Sequence, residues 1–540
     1  MATELVRLEN DKVRGGKNQR NNGDFLSGVM ILSVSAIVVK IIGLVYKIPM
    51  LRLLGSEGMG YFNSAYEIYA LFCTVSTAGL PVAMSVMISR CRGREGAEER
   101  IFKVSLRLFL SLGAAGALLM LILAYPLALF LGGSKCIFSI LAISPTVFFI
   151  CSTSAYRGYY QGLGQMLPTA LSQVIEATGK LLLGILFASV ALGFGYPTEA
   201  VAAFAVLGLL VGSVISTLYL WIIKRSKKHN TVDLSPRSRG MILRSLLKTA
   251  IPVTLSAAVV SVTKLVDMTM ILRRLQSLGQ TSEAAFSLYG CYTTLAVPLF
   301  GIAPALVSSV ALPLIPKLGG AISDGDRAAQ LETVNEGVRL ACLISMPIGI
   351  GLSLFSKEIL ELLFKGQSAE IELAAPLLSV LGMSVTLSCL VTVGNAVLQA
   401  YGRPHIPTVS MTVGAIMKIV IAYVLIGNRV IGIMGAPIST LICDLVINLI
   451  NFYFIVKYLP GNLDIGRSFL RPFCAALISV SVSKLIYGAA EARLGATAFI
   501  TLAAIATCAL IYAILCLSFK VIRIDEISKL RRRKADKMYN

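Results

Sequence analysis

Charged residues interrupt the long apolar stretches of this 540-residue chain, and their spacing suggests an anion-binding surface. Lys40 and Lys47 are seven residues apart with Gly43 between them, so they share one face of a helix. A lysine near the middle of a membrane span costs about 2.5–3.5 kcal/mol on insertion scales, so such residues tend to be functional. We therefore expect Lys40 to face a cavity. Lys47 either faces the same cavity or extends its side chain to the nearby outer interface.

Polar residues of two further stretches could complete this surface. Asn63 and Glu67 lie one turn apart, and Glu67 is either a partner for a lysine of the first span or a headgroup-level residue that faces water. Lys264 and Asp267 are three residues apart and can pair within one helix, which lowers the cost of burial. Arg274 stands near the outer end of that helix and faces either the cavity mouth or water. The candidate substrate-binding residues are Lys40, Lys47, Arg52, Asn63, Glu67, Lys264, Asp267 and Arg274.

The segment SAYRGYYQGLGQMLPTALSQVIEATGK, residues 154–180, carries a second set of charges. Arg157 and Gln161 are four residues apart at the end of one span, and the glycines and proline that follow predict a tight turn. Glu176 and Lys180 are four apart on the next span, in the orientation that favours an internal salt bridge. We expect these residues to tie or gate the spans of one half of the protein, with substrate contact as the alternative. The predicted lobe-bracing or gating residues are Arg157, Gln161, Glu176, Lys180, Gln399 and Lys418.

The elements that position these residues are predicted from composition. Hydrophobic residues make up 56% of the chain and charged residues 14%, and the mean hydropathy is +0.79. Apolar stretches of about 20 residues recur from end to end, which predicts an all-α polytopic membrane protein. We place about fourteen transmembrane helices near 25–50, 60–90, 104–131, 137–163, 168–193, 199–223, 247–272, 284–311, 335–355, 373–400, 406–427, 431–456, 470–488 and 496–519.

The net charge of +21 is explained by topology. Fourteen spans put both termini on one side, and most lysines and arginines fall in the loops and tail of that side, which is therefore cytoplasmic. This basic surface could also hold anionic lipid headgroups. We expect membrane lipids and no nucleic acid as partners. Residues 1–24 are polar, so we expect no cleaved signal peptide and take the apolar run that begins at Phe25 as a span.

The sequence of the second half of the chain resembles that of the first, which predicts an internal repeat. YYQGLGQMLPTALSQVIEATGK (159–180) aligns with LQAYGRPHIPTVSMTVGAIMK (398–418), which matches Gln161 with Gln399 and Lys180 with Lys418. Chance recurrence of small residues and prolines is the alternative. Six spans per copy predict two six-helix lobes related by a pseudo-twofold axis along the membrane normal, with the substrate between them, and two additional C-terminal helices. The predicted segments are a cytoplasmic tail at 1–24, an N-terminal lobe at 25–226, a linker at 227–246, a C-terminal lobe at 247–458, the last two spans at 459–520 and a basic tail at 521–540.

Residues suited to metal or acid–base chemistry are scarce. The 11 cysteines are scattered through apolar runs, and the two histidines, His229 and His405, fall in predicted loops. We therefore expect no metal and no cofactor. A membrane glycosyltransferase or ligase needs an acid–base constellation, and the short external loops offer none. The sequence therefore favours a transporter over an enzyme.

The segment RGYYQGLGQMLPTALSQVIE closely resembles the RGxxQG…PTAxSQxxEQ segment of the bacterial stage V sporulation protein B-like flippases. KIIGLVYKIPMLRLLGSEGMGYFNSAYEIY and GLPVAMS resemble the first hairpin of that family, which stands beside the lipid II flippase MurJ branch in the multidrug/oligosaccharidyl-lipid/polysaccharide exporter superfamily. The resemblance implies a multi-pass protein of the bacterial cytoplasmic membrane, working as a monomer. Its implied function is to flip an undecaprenyl-diphosphate-linked sugar, such as lipid II or a related polysaccharide precursor, by alternating access.

The resemblance also bears on the binding residues. The MurJ branch uses span 1 arginines for the diphosphate; here the first such position is Lys40 and the next is Tyr46 or Lys47, so charge is kept and the bidentate guanidinium is lost. An ion-coupling site of related transporters is not carried over, because Lys418 stands in a span where it would disfavour sodium. The alternative function is a cation-coupled multidrug exporter of the same superfamily. Such a protein would favour acidic cavity residues, whereas the first span offers lysines.

Overall fold

The structure, a computed structural model, describes residues 2–91, 96–225, 236–494 and 497–521. Helices form nearly all of these ranges, and no strand occurs within them. The chain divides into two compact units, Met1–Thr269 (unit 1) and Met270–Asn540 (unit 2). His229, the first part of the predicted linker and nearly all of the predicted basic tail lie outside the described residues.

The helices of unit 1 begin with a long one that bends once. Helix α1 contains Gly55 in a non-helical conformation, with φ 66° and ψ 179°, which suits a residue without a β-carbon and separates predicted spans 1 and 2. The last helix, α9, crosses the boundary between the units. The helices are α1 (Ala2–Thr77), α2 (Gly79–Arg90), α3 (Ala97–Ile122), α4 (Ala124–Phe130), α5 (Ile137–Ile143), α6 (Thr146–Gly162), α7 (Met166–Gly193), α8 (Thr198–Arg225) and α9 (Pro236–Ser277).

The described part of unit 2 has ten further α-helices, joined by short turns. A wide helical turn at Tyr292–Ala296 links the first two, and a second at Gly466–Leu470 leads into the last hairpin. The helices are α10 (Ser282–Cys291), α11 (Val297–Phe300), α12 (Ile302–Ser323), α13 (Arg327–Leu354), α14 (Ser356–Leu363), α15 (Ser368–Ala400), α16 (His405–Ile426), α17 (Gly435–Tyr458), α18 (Arg471–Leu494) and α19 (Ala498–Ser518).

Twelve helical segments among the described residues are long and apolar enough to cross a membrane. One of them, Val34–Arg90, contains predicted span 2 and residues 34–50 of predicted span 1. Predicted span 7 lies in α9, which is not among the twelve. The predicted fold class, an all-α polytopic membrane protein, is confirmed. The count of fourteen spans, the pseudo-twofold axis and the lobe boundaries stay predictions.

The corner that the sequence alignment matched has the same backbone geometry in each unit. Gly164 has φ 73° and Gly402 has φ 69°, a left-handed conformation that favours glycine. The Gly164 N–H donates to the Gln161 carbonyl at 3.0 Å, and the Gly402 N–H donates to the Gln399 carbonyl at 3.0 Å. Each corner therefore ends its helix with the same glycine cap. Gly132 and Gly195 end other helices with the same cap, so this local geometry does not test the predicted repeat.

Glycines let α7 and α8 approach closely in unit 1. A β-carbon on Gly208 would lie 2.2 Å from the Gly184 nitrogen, and one on Gly179 would lie 2.6 Å from the Gly212 α-carbon. Both contacts are with backbone, which cannot move aside as a side chain can. Small residues at crossing points are the usual means by which membrane helices pack closely. The rotation of α7, and with it the direction of its charged side chains, is fixed by these contacts.

We expect Gly208→Ala to destabilise the protein by about 1–3 kcal/mol or more, because the new methyl group overlaps backbone atoms. Thermal unfolding in detergent, followed by size-exclusion chromatography, measures the effect. Gly193→Ala is the matched control, since a β-carbon there has no atom within 4 Å; alanine should be neutral or slightly stabilising. Equal melting temperatures for the two variants would contradict the close packing of α7 on α8.

Candidate functional site

A cluster of charged side chains lies on α1 and α9 of unit 1. Glu67, in the part of α1 after the bend, interacts electrostatically with Lys47 from before the bend and with Lys264 of α9. The same carboxylate interacts with Asp267. Lys47 and Glu67 are partly buried, whereas Lys264 is exposed. The structure therefore brings together four of the residues that the sequence analysis selected.

A second lysine joins this cluster from α7. Lys180 interacts electrostatically with Lys47, so two positive charges are held near each other. Its ammonium nitrogen lies over three aromatic rings of α1, at 5.1 Å from the centroid of Tyr46, 5.4 Å from Phe62 and 4.5 Å from Tyr66. Lys180 is near the middle of α7, about 20 Å from either end at 1.5 Å per residue. We call these three rings the aromatic cage.

The neighbouring carboxylate on α7 has a different partner. Glu176 Oε2 lies 2.9 Å from Arg157 Nη2, and Arg157 Nε donates to Ser172 Oγ at 2.8 Å. Glu176 also interacts electrostatically with Lys180, as the spacing of four predicts, but its ion pair in the described part of the chain is with Arg157 of α6. The backbone carbonyl of Ser172 in turn accepts a hydrogen bond from Ser216 of α8 at 2.9 Å. These contacts connect α6, α7 and α8.

The other candidates of unit 1 differ in their exposure. Lys40 and Arg52 are exposed on α1, Asn63 is buried, and Gln161 is partly buried near the end of α6. Lys40 is not among the charged groups that act on Glu67, which are Lys47, Lys264 and Asp267. The sequence analysis missed the aromatic cage, although the spacing of four between Phe62 and Tyr66 already places them on one helical face.

Arg274 belongs to unit 2, where it packs against α16. Its Nε donates to the Tyr423 carbonyl at 3.1 Å, and its guanidinium carbon lies 3.9 Å from the centroid of the Tyr423 ring. A β-carbon on Gly427 would overlap the guanidinium, so this glycine makes room for it. The contacts of Arg274 thus hold the end of α9 to α16 within unit 2.

The repeat counterpart of Lys180 has a carboxylate partner. Lys418 of α16 interacts electrostatically with Asp444 of α17, which is 9% exposed and accepts a hydrogen bond from Ser388 of α15. Gln399 is exposed at the end of α15. The sequence analysis missed Asp444, which it could have found as a single acid in the apolar run LICDLVINLI. Each of the two aligned lysines therefore interacts with a carboxylate: Lys180 with Glu176 of its own helix, and Lys418 with Asp444 of the next helix.

The residue types around these lysines suit an anion better than a metal ion. Within the described ranges, no group of three or more His, Cys, Asp or Glu residues is placed to hold a metal ion. Lys47 and Lys180, on two spanning helices, attract a ligand of negative charge, and Glu67 beside Lys47 offsets part of that attraction. Aromatic rings beside them add a surface for apolar or sugar groups. The arrangement can bind an anionic head group at the depth of the helix centres.

An all-helical polytopic fold with a charged cluster on its spanning helices agrees with a membrane transporter. The chain belongs to the polysaccharide biosynthesis protein family, whose profile matches residues 25–319. The MatE profile matches residues 252–424. The protein is thus a membrane transporter of the multidrug/oligosaccharidyl-lipid/polysaccharide exporter superfamily, and the resemblance noted in the sequence is confirmed.

Relatives and solved structures agree with this assignment. The chain is 28% identical to stage V sporulation protein B of Bacillus subtilis (strain 168) over 94% of this chain and 97% of the relative. It is 24% identical to the lipid II flippase MurJ of the same organism over 85% of this chain and 87% of that one. A solved structure of a lipid II flippase MurJ in an inward closed conformation has the same fold, with a TM-score of 0.69, 17% identity and coverage of 90% and 98%.

Proposed function

We propose that this protein is a flippase that moves an undecaprenyl-diphosphate-linked sugar across the bacterial cytoplasmic membrane. The observation that carries the proposal is the cluster of lysines on α1, α7 and α9, in which Lys47 interacts with both Lys180 and Glu67. A diphosphate presents negative charge over several oxygens, and lysines bind such groups as point charges. The curated relatives include a lipid II flippase, which agrees with this substrate class.

The mechanism we propose is alternating access. The cationic cluster binds the diphosphate, the polyprenyl chain remains in the bilayer, and a change between two conformations carries the head group across. We place both termini in the cytoplasm, from the distribution of lysine and arginine, and expect a monomer that contacts membrane lipids. No covalent step is part of this cycle, so the protein is not an enzyme. Lipid II and other wall or polysaccharide precursors all fit this substrate class.

The sign of the cluster separates this function from export of cationic drugs. A cationic drug would need carboxylates that are not already matched by cations. Glu67 interacts with two lysines, and Glu176 is taken by Arg157. A like-charge pair at Lys47 and Lys180 repels a cationic cargo. The flippase is therefore the function that we favour over the multidrug exporter.

Reconstitution of the purified protein into liposomes tests this function. We expect it to flip fluorescent lipid II and other undecaprenyl-diphosphate sugars, measured by quenching of the fluorophore in the outer leaflet, with and without a membrane potential. Liposomes without protein and liposomes with a labelled phosphatidylcholine are the controls. A cationic dye such as ethidium, loaded into the same liposomes, should not be exported. Dye export without lipid flipping would refute the flippase and support the exporter.

A further inference from the structure

Unit 2 contains a cavity whose lining shares no residue with the charged cluster of unit 1. It has a volume of about 330 Å³ and lies between α13, α15, α17 and the segment that connects α17 to α18. Its walls include Val338 of α13, Val393 of α15, Phe452 of α17 and Phe469 before α18. This volume is at the lower end of the range of about 300–1,000 Å³ that ligand pockets have. The cavity is therefore large enough for one elongated chain.

The connecting segment forms one wall of the cavity because it is bonded to α13. Pro460 and Gly461 follow α17, and Gly461 has φ 144°, so the chain turns there instead of continuing as a helix. The Asp464 backbone N–H then donates to Asn335 Oδ1 at 3.0 Å, and Ser468 Oγ donates to the Asn335 carbonyl at 3.3 Å. The wall is thus a fixed part of the fold of unit 2.

The polar residues of the lining make their hydrogen bonds within the protein. Asn448 Nδ2 donates to the Asp444 carbonyl at 2.8 Å. Asn451 Nδ2 donates to Asn395 Oδ1 at 2.9 Å, and Asn451 Oδ1 accepts from Ser410 Oγ at 2.8 Å. The surface that remains toward the cavity is almost wholly hydrocarbon. Such a wall favours an apolar chain over a sugar, a diphosphate or a metal ion.

The cavity lies at the depth of one membrane leaflet. Three large apolar residues of its lining are exposed at the protein surface: Leu449, Phe452 and Ile465. The last ten residues of α17, from Asn448 onward, cover about 15 Å, which is half of a hydrocarbon core of about 30 Å. With both termini placed in the cytoplasm, α17 is the twelfth span and ends on the cytoplasmic side. The cavity therefore opens toward the acyl chains of the cytoplasmic leaflet.

Basic residues stand at the cytoplasmic ends of the same elements. The ends of α15 and α17 and the start of α18 carry Arg403, Lys457, Arg467 and Arg471, which we call the basic rim. The guanidinium of Arg403 packs over the ring of Tyr458 at the end of α17. The carboxylates nearby are Asp464 and, on α13, Glu332, so positive charge predominates. Basic groups beside a pocket between spanning helices on the cytoplasmic side attract lipid phosphates.

We propose that this cavity binds one acyl chain of a phospholipid from the cytoplasmic leaflet, with the lipid phosphate at the basic rim. This lipid is not the transported substrate, so the site goes beyond the proposed function. The bound chain covers apolar surface of α17 and of the segment before α18, and it thereby stabilises the junction between the C-terminal hairpin and the rest of unit 2.

Native mass spectrometry of the full-length protein tests the site. The protein is reconstituted in vesicles of phosphatidylglycerol, phosphatidylethanolamine and undecaprenyl diphosphate and is then extracted in a mild detergent. We expect one phospholipid to stay bound at collision energies that remove the others. Val338→Phe places a ring in the cavity, so the bound fraction should fall about tenfold or more. Val424→Phe is the matched control, because Val424 is 61% exposed on α16 and lies outside the lining.

A second variant tests the site without a change in packing. Lys457 is exposed, so Lys457→Gln should leave the melting temperature unchanged and weaken phospholipid retention about fivefold. Added phosphatidylglycerol should raise the melting temperature of the unaltered protein and of Val424→Phe, and not that of Val338→Phe.

Three results would overturn the proposal. The unaltered protein could retain no phospholipid, or Val338→Phe could retain as much as Val424→Phe. If Val338→Phe instead loses undecaprenyl diphosphate and keeps the phospholipid, the cavity belongs to the substrate chain. Flipping of lipid II by the unaltered protein is a separate readout, so each of the first two results leaves the proposed function standing.

Discussion

Replacing Lys47 by methionine is expected to slow flipping of undecaprenyl-diphosphate sugars by about 10- to 150-fold. This range corresponds to a charged hydrogen bond of about 1.5–3 kcal/mol, which the variant would lose in the bound state. Lys47 is partly buried on α1 and interacts with Glu67 and Lys180, so methionine keeps the volume and removes the charge. The rate in proteoliposomes, divided by the amount of folded protein, is the quantity to measure.

Variants of Lys40, which is predicted to share a helical face with Lys47, provide a comparison for Lys47→Met. From the sequence we expect Lys40→Ala to abolish complementation of a flippase-depleted strain, and Lys40→Arg to keep part of the activity. In the structure Lys40 is exposed and lies outside the cluster around Glu67. Normal growth of the Lys40 variant together with loss of growth for Lys47→Met would assign the binding role to Lys47. Unchanged rates for Lys47→Met would remove it from the site.

Replacing Arg157 by methionine is expected to destabilise the protein by about 3 kcal/mol. Removing one member of a buried ion pair typically costs about 3–5 kcal/mol, because the remaining charge has no partner. The side chains of Arg157 and Glu176 are 16% and 20% exposed, which favours the low end of that range. The variant also leaves Ser172 without its guanidinium contact. Thermal unfolding of the purified protein in detergent measures the loss.

An exposed ion pair of the same chain serves as the control. Lys317 and Glu336 have side chains that are 58% and 42% exposed, so Lys317→Met should cost about 0–1 kcal/mol. The double variant Arg157→Met/Glu176→Gln should recover part of the stability, since it no longer contains an unpaired carboxylate. If Arg157→Met unfolds at the same temperature as Lys317→Met, the Arg157 ion pair contributes no more than a surface contact.

The helix corner at 154–180 illustrates what the sequence could predict. Glycine and proline punctuate turns because of their own backbone preferences, so the turn at Gly164 and the start of α7 were predictable from local residues. The ion-pair partner of Glu176 was not predictable from local residues. Spacing along α7 pointed to Lys180 as the ion-pair partner of Glu176. Which residue pairs with Glu176 depends on the rotation of α7, which its glycine contacts with α8 determine. Arg157 reaches Glu176 only because packing turns that face of α7 toward α6.

The aromatic cage and Asp444 show two further limits. The rings around Lys180 come from α1, and periodicity within one helix does not reveal which distant helix faces it. Asp444 was visible as an acid in an apolar run, but its partner Lys418 is on another helix. Hydropathy, in contrast, placed every predicted span except the seventh over a helix that is long and apolar enough to cross a membrane, because about 20 apolar residues are required wherever a helix crosses a bilayer. Which polar groups pair across distant parts of the sequence could be seen only in the folded structure.

For the proposed flippase, the mixed charges of the cluster have an electrical consequence. A transmembrane potential acts on net charge, at about 2.3 kcal/mol per elementary charge per 100 mV for complete passage. Lys47, Lys180 and Lys264 outnumber the carboxylates Glu67 and Asp267 by one charge, because Glu176 is in the ion pair with Arg157. With a cytoplasm at negative potential, the empty cluster is drawn inward, and a bound dianion reverses the sign of that force. The resting voltage of the cell would thus help to return the unloaded carrier to the side where substrate is made.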